Sequence, residues 1–170
     1  LFRSNPKRRN AACPYCNALE RNRVLWFYLQ DKGLLNGETR LLHFAPERII
    51  EAQIKTMPLR EYISADIDKD LADTVVDITN IQFSDNSFNL IICSHVLAHI
   101  KDEAKAIKEL YRVLSKDGQA LIMTRIFENL DTTLEYTDTD TPAKRLQYYQ
   151  QDDVYRHHGK DFKDTLAKAG

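Results

Sequence analysis

ADID (65–68), VVDIT (75–79), SFNLIICSHVLAHI (87–100) and AIKELYRVLSKDGQALIM (106–123) follow one another in the middle of the chain. Their order predicts a strand with an acidic end, a second acidic strand end, a continuous apolar strand, an amphipathic helix stopped at Gly118, and another apolar strand. Apolar runs without alternation suit strands covered on both faces, as in parallel sheets flanked by helices. Such sheets bind ligands in the crevice at the carboxyl ends of their strands, where Asp66, Asp77 and His95 would lie.

Working outward, Leu19 to Lys32 reads as a helix with Leu19, Val24, Leu25, Phe27, Tyr28 and Leu29 largely on one face and Gly33 as its stop. Arg40 to Phe44 reads as a strand, and Pro46 opens a helix carrying Ile49, Ile50 and Ile54. Glu61 to Ala65, Thr74 to Val76 and Phe88 to Cys93 are further strands. The next helix is marked by Ala104, Ile107, Tyr111 and Leu114, with Leu110 flanking, and Gln119 to Thr124 is the strand after it. Asn129 to Thr141, rich in Asp and Thr, reads as an excursion or flexible loop. A last helix is expected over about Asp161 to Lys168, where a doubly wound fold would continue with another strand.

The chain has 170 residues, 43% hydrophobic and 29% charged, enough for one domain with a real core. Its 24 basic and 25 acidic residues give a net charge of −1, which offers no field to draw in nucleic acid or an anionic membrane. No apolar run reaches the roughly 18 residues that span a bilayer, so a cytoplasmic location is expected. Three cysteines do not make a secreted disulfide framework. Cys93 sits in an apolar strand and reads as core. Cys13 and Cys16 of CPYC supply two of the four ligands of a structural zinc site, so no metal is expected of these residues alone.

The central pattern resembles a class I S-adenosylmethionine-dependent methyltransferase. CPxCxxxERxR (13–23) and LHxAPE (42–47) are similar to a bacterial branch of the type 11 methyltransferases. The resemblance implies an α/β, Rossmann-like, mostly parallel sheet with helices on both faces, here without its last strands. It also implies a cysteine-bearing arm over residues 1–18, where CPYC would be what is left of a zinc knuckle, and a catalytic domain over 19–170. Its cofactor would be S-adenosylmethionine. The acceptor would be a small molecule, a glycan or a lipid-linked molecule, with no nucleic-acid partner and no membrane insertion.

By that resemblance Asp66 takes the ribose hydroxyls, with Asp68 the neighbouring alternative. An ionised carboxylate suits this role, because its two oxygens accept hydrogen bonds from both hydroxyls. Asp77 would meet the adenine amino group and Ile78 the ring through its backbone, with Ile67 and Ser94 as further contacts. LLHFAPE (41–47) departs from the usual acid and G-x-G turn: His43 replaces the acid, Ala45 the first glycine and Glu47 the second. His43, Phe44, Ala45 and Glu47 would line the cofactor there, and Glu47 could meet its ammonium group. Capping of local turns explains either residue alone as well, but the pair at two strand ends, with the helix and strand from Ala104 to Met123 behind them, favours cofactor binding.

Methyl transfer needs positioning and, where the acceptor must lose a proton, a base. His95 is the candidate, with His99 on the same face if HVLAH (95–99) is helical; Val96 rules out the HExxH metal motif. Relatives usually carry Glu where this chain has Ala98. Tyr155, His157 and His158 are weaker candidates for the acceptor side, and a solvated turn explains them as well. Glu20, Arg21 and Arg23 could hold the arm or helix by ion pairs or face the active site, with a solvated helix face as the default. The alternative to an enzyme is a methyltransferase-like binding module with a degenerate cofactor pocket.

Overall fold

The computed structural model describes residues 11–169. The first ten residues of the expected arm lie outside that range. Five parallel strands form one sheet: β1 (Arg40–Phe44), β2 (Glu61–Asp66), β3 (Thr74–Val75), β4 (Phe88–Ser94) and β5 (Leu114–Met123), in the spatial order β3-β2-β1-β4-β5. The chain starts at the centre, moves outward through β2 to β3, and crosses back to β4. The switch point therefore falls between β1 and β4, and their carboxyl ends frame the crevice where such sheets take ligands.

The two strands are buried on both faces, as their continuous apolar sequences require. Leu42, Phe44, Ile91 and Cys93 face α3 (Glu103–Val113) and α5 (Phe162–Ala167), and the fully buried Cys93 is core as expected. Leu41, Leu90 and Ile92 face α1 (Glu20–Asp31) and α2 (Arg48–Ile54). Each fully buried Leu or Ile contributes roughly 1.5–3 kcal/mol, so the switch point sits on the most strongly packed part of the domain.

Several expectations are corrected. In α1 the buried face is Asn22, Leu25 and Leu29, while Val24, Phe27 and Tyr28 are exposed, because only the first set meets the sheet. In α3 the buried face is Glu103, Ala106, Ile107, Leu110 and Val113; Ala104 and Tyr111 point outward. That helix stops at Val113, not at Gly118, and Leu114 already pairs with Phe88 in the sheet. A register shift between Phe88 and Leu90 absorbs residues 115–118. Gly118 sits closely packed there: a Cβ would lie 2.8 Å from the flexible tip of Leu114 and 3.0 Å from the Ser115 carbonyl oxygen. HVLAH forms only a 3-10 turn, Leu97–His99, so His95 and His99 share no helical face.

The Asp- and Thr-rich excursion is ordered by partners distant in sequence. β6 (Leu134–Glu135) pairs antiparallel with β7 (Arg156–His157), and α4 (Pro142–Tyr149), capped by Thr141, lies between them. Arg156, 2% exposed, donates to the carbonyls of Leu97 and Lys101 at 3.0 and 2.9 Å. This ties the excursion to the turn that follows β4.

Candidate active site

Ala45, directly after β1, has φ 45°, and His95, directly after β4, has φ 57°. Left-handed backbone is costly for residues with a Cβ, by about 1–2 kcal/mol. It persists here because the neighbouring strands hold both turns: Ala45 N–H donates to Ala65 O at 2.9 Å, and His95 N–H to Met123 O at 2.7 Å. The position where a G-x-G turn has its first glycine thus keeps a glycine conformation.

Glu47, the N-cap of α2, turns its carboxylate toward both strand ends. Its Oε1 accepts from Ser94 Oγ at 3.3 Å and from Arg21 Nε at 3.4 Å. Its Oε2 is buried and has no partner among the described residues. A buried carboxylate oxygen left unbonded costs about 1–3 kcal/mol or more, and this one is an acceptor in search of a donor. For Arg21 the sequence leaves open an ion pair, the active site and the default solvated helix face, and the contact with Glu47 takes it off the solvated face. Only the packing of α1 beside α2, a contact between segments 26 residues apart, reveals it.

On β2, Asp66 holds the turn after its strand through Oδ1, which accepts from Asp68 N at 2.9 Å. Asp77 does the same after β3, accepting from the Thr79 N–H and hydroxyl, both at 2.8 Å. In each carboxylate the capping uses one oxygen, so capping and ligand binding do not exclude one another. Asp68 is exposed and caps Asp70 in the same way at 2.9 Å. Ile67 is 71% exposed at the strand end, whereas Phe44 and Ile78 send their side chains into the core. Those two can meet a ligand only through their backbones.

His43 is fully buried on the α1–α2 side of the sheet. Its Nδ1 lies 3.2 Å from the Tyr62 hydroxyl, and its Nε2 has no partner among the described residues. Burial pulls its pKa down to about 3, so the ring is neutral and does not replace the charge of the acid it stands for. His95 is half-buried, and its pKa falls to about 4 through burial, then through the positive charge of Arg21 and through His99. It is therefore a neutral imidazole at physiological pH. His99 Nδ1 lies 3.1 Å from Asp153 O, which holds it away from a free catalytic role.

His158 is not on a solvated turn: it is 1% exposed, with Nε2 2.7 Å from Glu103 Oε1 and Nδ1 2.7 Å from Thr124 Oγ1. His157 stacks on Phe127 at 4.0 Å, and Tyr155 lies under the Arg145 guanidinium. These residues hold the excursion together. Cys13 and Cys16 flank the turn of a short hairpin closed by the Ala12–Leu19 bridge. Among the described residues no group of three metal-ligating side chains occurs.

Comparison with known proteins fits this frame. Residues 40–122, from β1 into β5, match the family model described as "Methyltransferase domain", type 11. The match places a methyltransferase domain over residues 40–122, 83 of the chain's 170. The expected Rossmann-like fold and S-adenosylmethionine-dependent family are thereby borne out. The sequence is 39% identical over 44 residues to the uncharacterized methyltransferase YcgJ of Bacillus subtilis, covering 26% of this chain and 17% of that protein. It is 25% identical over 88 residues to a tRNA U34 carboxymethyltransferase of Sulfurimonas denitrificans, covering 52% of this chain and 28% of that one. The crystal structure of the Bacillus protein superposes with a TM-score of 0.60 at 20% identity, over 84% of this chain and 65% of the other. The chain thus spans less than a third of the curated relatives it matches. No helix among the described residues is long and apolar enough to cross a membrane.

Proposed function

We propose that this methyltransferase domain binds S-adenosylmethionine across the carboxyl ends of β1, β2 and β4 and transfers its methyl group to a small-molecule, glycan or lipid-linked acceptor. The observation that carries the reading is the buried, unpartnered Oε2 of Glu47 beside a left-handed Ala45. An acceptor of this kind suits the ammonium of the cofactor's amino-acid end, and the turn lets the chain pass close to it. Ser94 orients the Glu47 carboxylate. Asp66, through the oxygen not used in capping, takes the ribose hydroxyls, and Asp77 with the Ile78 backbone takes the adenine. Phe44 and Ile67 flank that path through their backbones, and His43 supports β1 from beneath.

When bound, the cofactor supplies an electrophilic methyl on a sulfonium, and the protein has to align an acceptor in line with that bond. His95 sits past β4 with a neutral ring, able to accept a proton from an acceptor hydroxyl or amine. The balanced charge of the chain favours a neutral small acceptor over tRNA.

The test is calorimetry and thermal shift with S-adenosylmethionine and S-adenosylhomocysteine. A ligand that binds only the folded state at a hundred times its Kd stabilises it by about 2.7 kcal/mol, so a clear rise in Tm is expected. Absence of both heat and shift would leave the non-catalytic module as the better reading.

A further inference from the structure

Two opposite charges face each other at the switch point: the Arg21 guanidinium approaches Glu47 through Nε alone, at 3.4 Å. Both side chains are mostly shielded, 28% and 22% exposed. Among the described residues the two terminal nitrogens of Arg21 make no hydrogen bond. On the carboxylate side Glu47 keeps Oε2 unbonded and shut from water. The pair is therefore a cation and an anion side by side, with the Arg21 terminal nitrogens and the buried Glu47 Oε2 without a partner among the described residues. An α-amino acid carries an ammonium and a carboxylate on one carbon, and a neighbouring anion and cation are its mirror in charge.

We infer that Arg21 and Glu47 form a clamp for the zwitterionic end of the cofactor, with Arg21 taking the α-carboxylate through its two terminal nitrogens while Glu47 Oε2 takes the α-ammonium. The inference rests on the cofactor reading above and adds to it a residue from α1, outside the family match at residues 40–122. Guanidinium suits this task because its fork presents two parallel N–H donors to a carboxylate. The positive charge of Arg21 also reaches His95, after β4. A ligand carboxylate on Arg21 would soften that field. Asn22, next along α1, is 4% exposed and its Nδ2 is likewise without a partner among the described residues.

The experiment compares S-adenosylhomocysteine with 5′-methylthioadenosine, which keeps the adenosine and sulfur but lacks the amino-acid end. Calorimetry on the wild type and on Arg21→Met should show S-adenosylhomocysteine binding weakened roughly 10- to 100-fold, as expected for losing a charge-assisted pair. Methylthioadenosine binding should stay within about two-fold, which also shows that the variant is folded. Arg21→Lys should recover part of the loss, because the charge remains and the fork does not. Unchanged S-adenosylhomocysteine affinity in Arg21→Met overturns the clamp, and so does an equal loss for both ligands, which would mark Arg21 as a structural residue. A wild type that binds neither nucleoside overturns the cofactor reading itself, and the clamp with it.

Discussion

His43 offers a measurement that depends on one buried ring. In the folded protein its pKa is about 3, set by burial, whereas in the unfolded chain an imidazole titrates near 6.5. Between these values the unfolded state binds a proton that the folded state refuses, so stability falls as pH falls through 6.5 and goes on falling toward 3. Each pH unit in that window costs about 1.36 kcal/mol per proton, and from pH 7 to pH 5 the His43 contribution to stability should drop by about 2 kcal/mol. His43→Leu removes this proton while filling a similar volume. It also deprives the Tyr62 hydroxyl of its partner, an offset of about 1 kcal/mol that does not change across this range. His95 and His157 are also lowered and act with the same sign, but both remain in the variant and cancel in the comparison. Urea unfolding of wild type and His43→Leu at pH 7 and pH 5 should therefore give a pH-dependent loss about 2 kcal/mol smaller in the variant. Parallel losses in the two proteins would mean that His43 titrates as a solvated ring, and its assignment as a neutral buried strut would be wrong.

The other expectations are simpler to state. Asp66→Ala should weaken S-adenosylhomocysteine binding by roughly 1.5–3 kcal/mol, and calorimetry giving the wild-type Kd for a folded variant would remove the ribose assignment. Ala45→Gly should stabilise the fold by about 1 kcal/mol, because glycine meets no Cβ penalty at φ 45°; a fall in the urea midpoint would contradict the left-handed turn. His95→Gln should leave S-adenosylhomocysteine affinity within a few-fold and lower turnover about 10²- to 10⁴-fold. The wild-type rate should then fall through pH about 4 as His95 takes a proton, and an acid limb centred near 6.5 would show the ring to be solvated.

The strands were readable because their signal is local. FNLIICS and RLLHF are mostly apolar without alternation, and only a strand covered on both faces buries all of their positions but Arg40 and Asn89. Helix positions were readable too, but not which face of each is buried. In α1 the exposed Val24, Phe27 and Tyr28 are as apolar as the buried Leu25 and Leu29, and periodicity cannot choose between adjacent faces without the sheet. Gly118 looked like a helix stop because glycine commonly ends helices. In the structure it lies in the segment that the register shift between Phe88 and Leu90 absorbs, close against Leu114 and Ser115. The excursion was opaque for the same reason: β6 and β7 are two residues each, and Arg156 holds them through carbonyls more than 50 residues distant in sequence.

The candidate site shows how the APE turn can stand in for a glycine pair. A G-x-G turn admits a ligand by removing side chains, so recognition there falls to the backbone. Here Ala45 keeps the backbone course at the cost of left-handed strain, and the second glycine has become Glu47, which puts a carboxylate where others leave space. A charge placed there has to be oriented and balanced. Ser94 donates to it from β4, and Arg21 supplies the opposite charge from α1. The acid usually found at the end of the first strand would put a charge in the buried place of His43, where the neutral ring puts none. The three departures in LHFAPE are thus mutually consistent. An acid at position 43 would be a charge buried on the α1–α2 side of the sheet beside the Tyr62 hydroxyl, and an alanine at 45 is the smallest side chain with a Cβ that keeps the turn. Restoring the acid alone, as His43→Asp, should then destabilise the fold more than His43→Leu at pH 7, since burying an unpaired carboxylate costs several kcal/mol. Urea unfolding of the two variants side by side decides it, and an Asp variant as stable as the Leu variant would break the argument that position 43 excludes a charge.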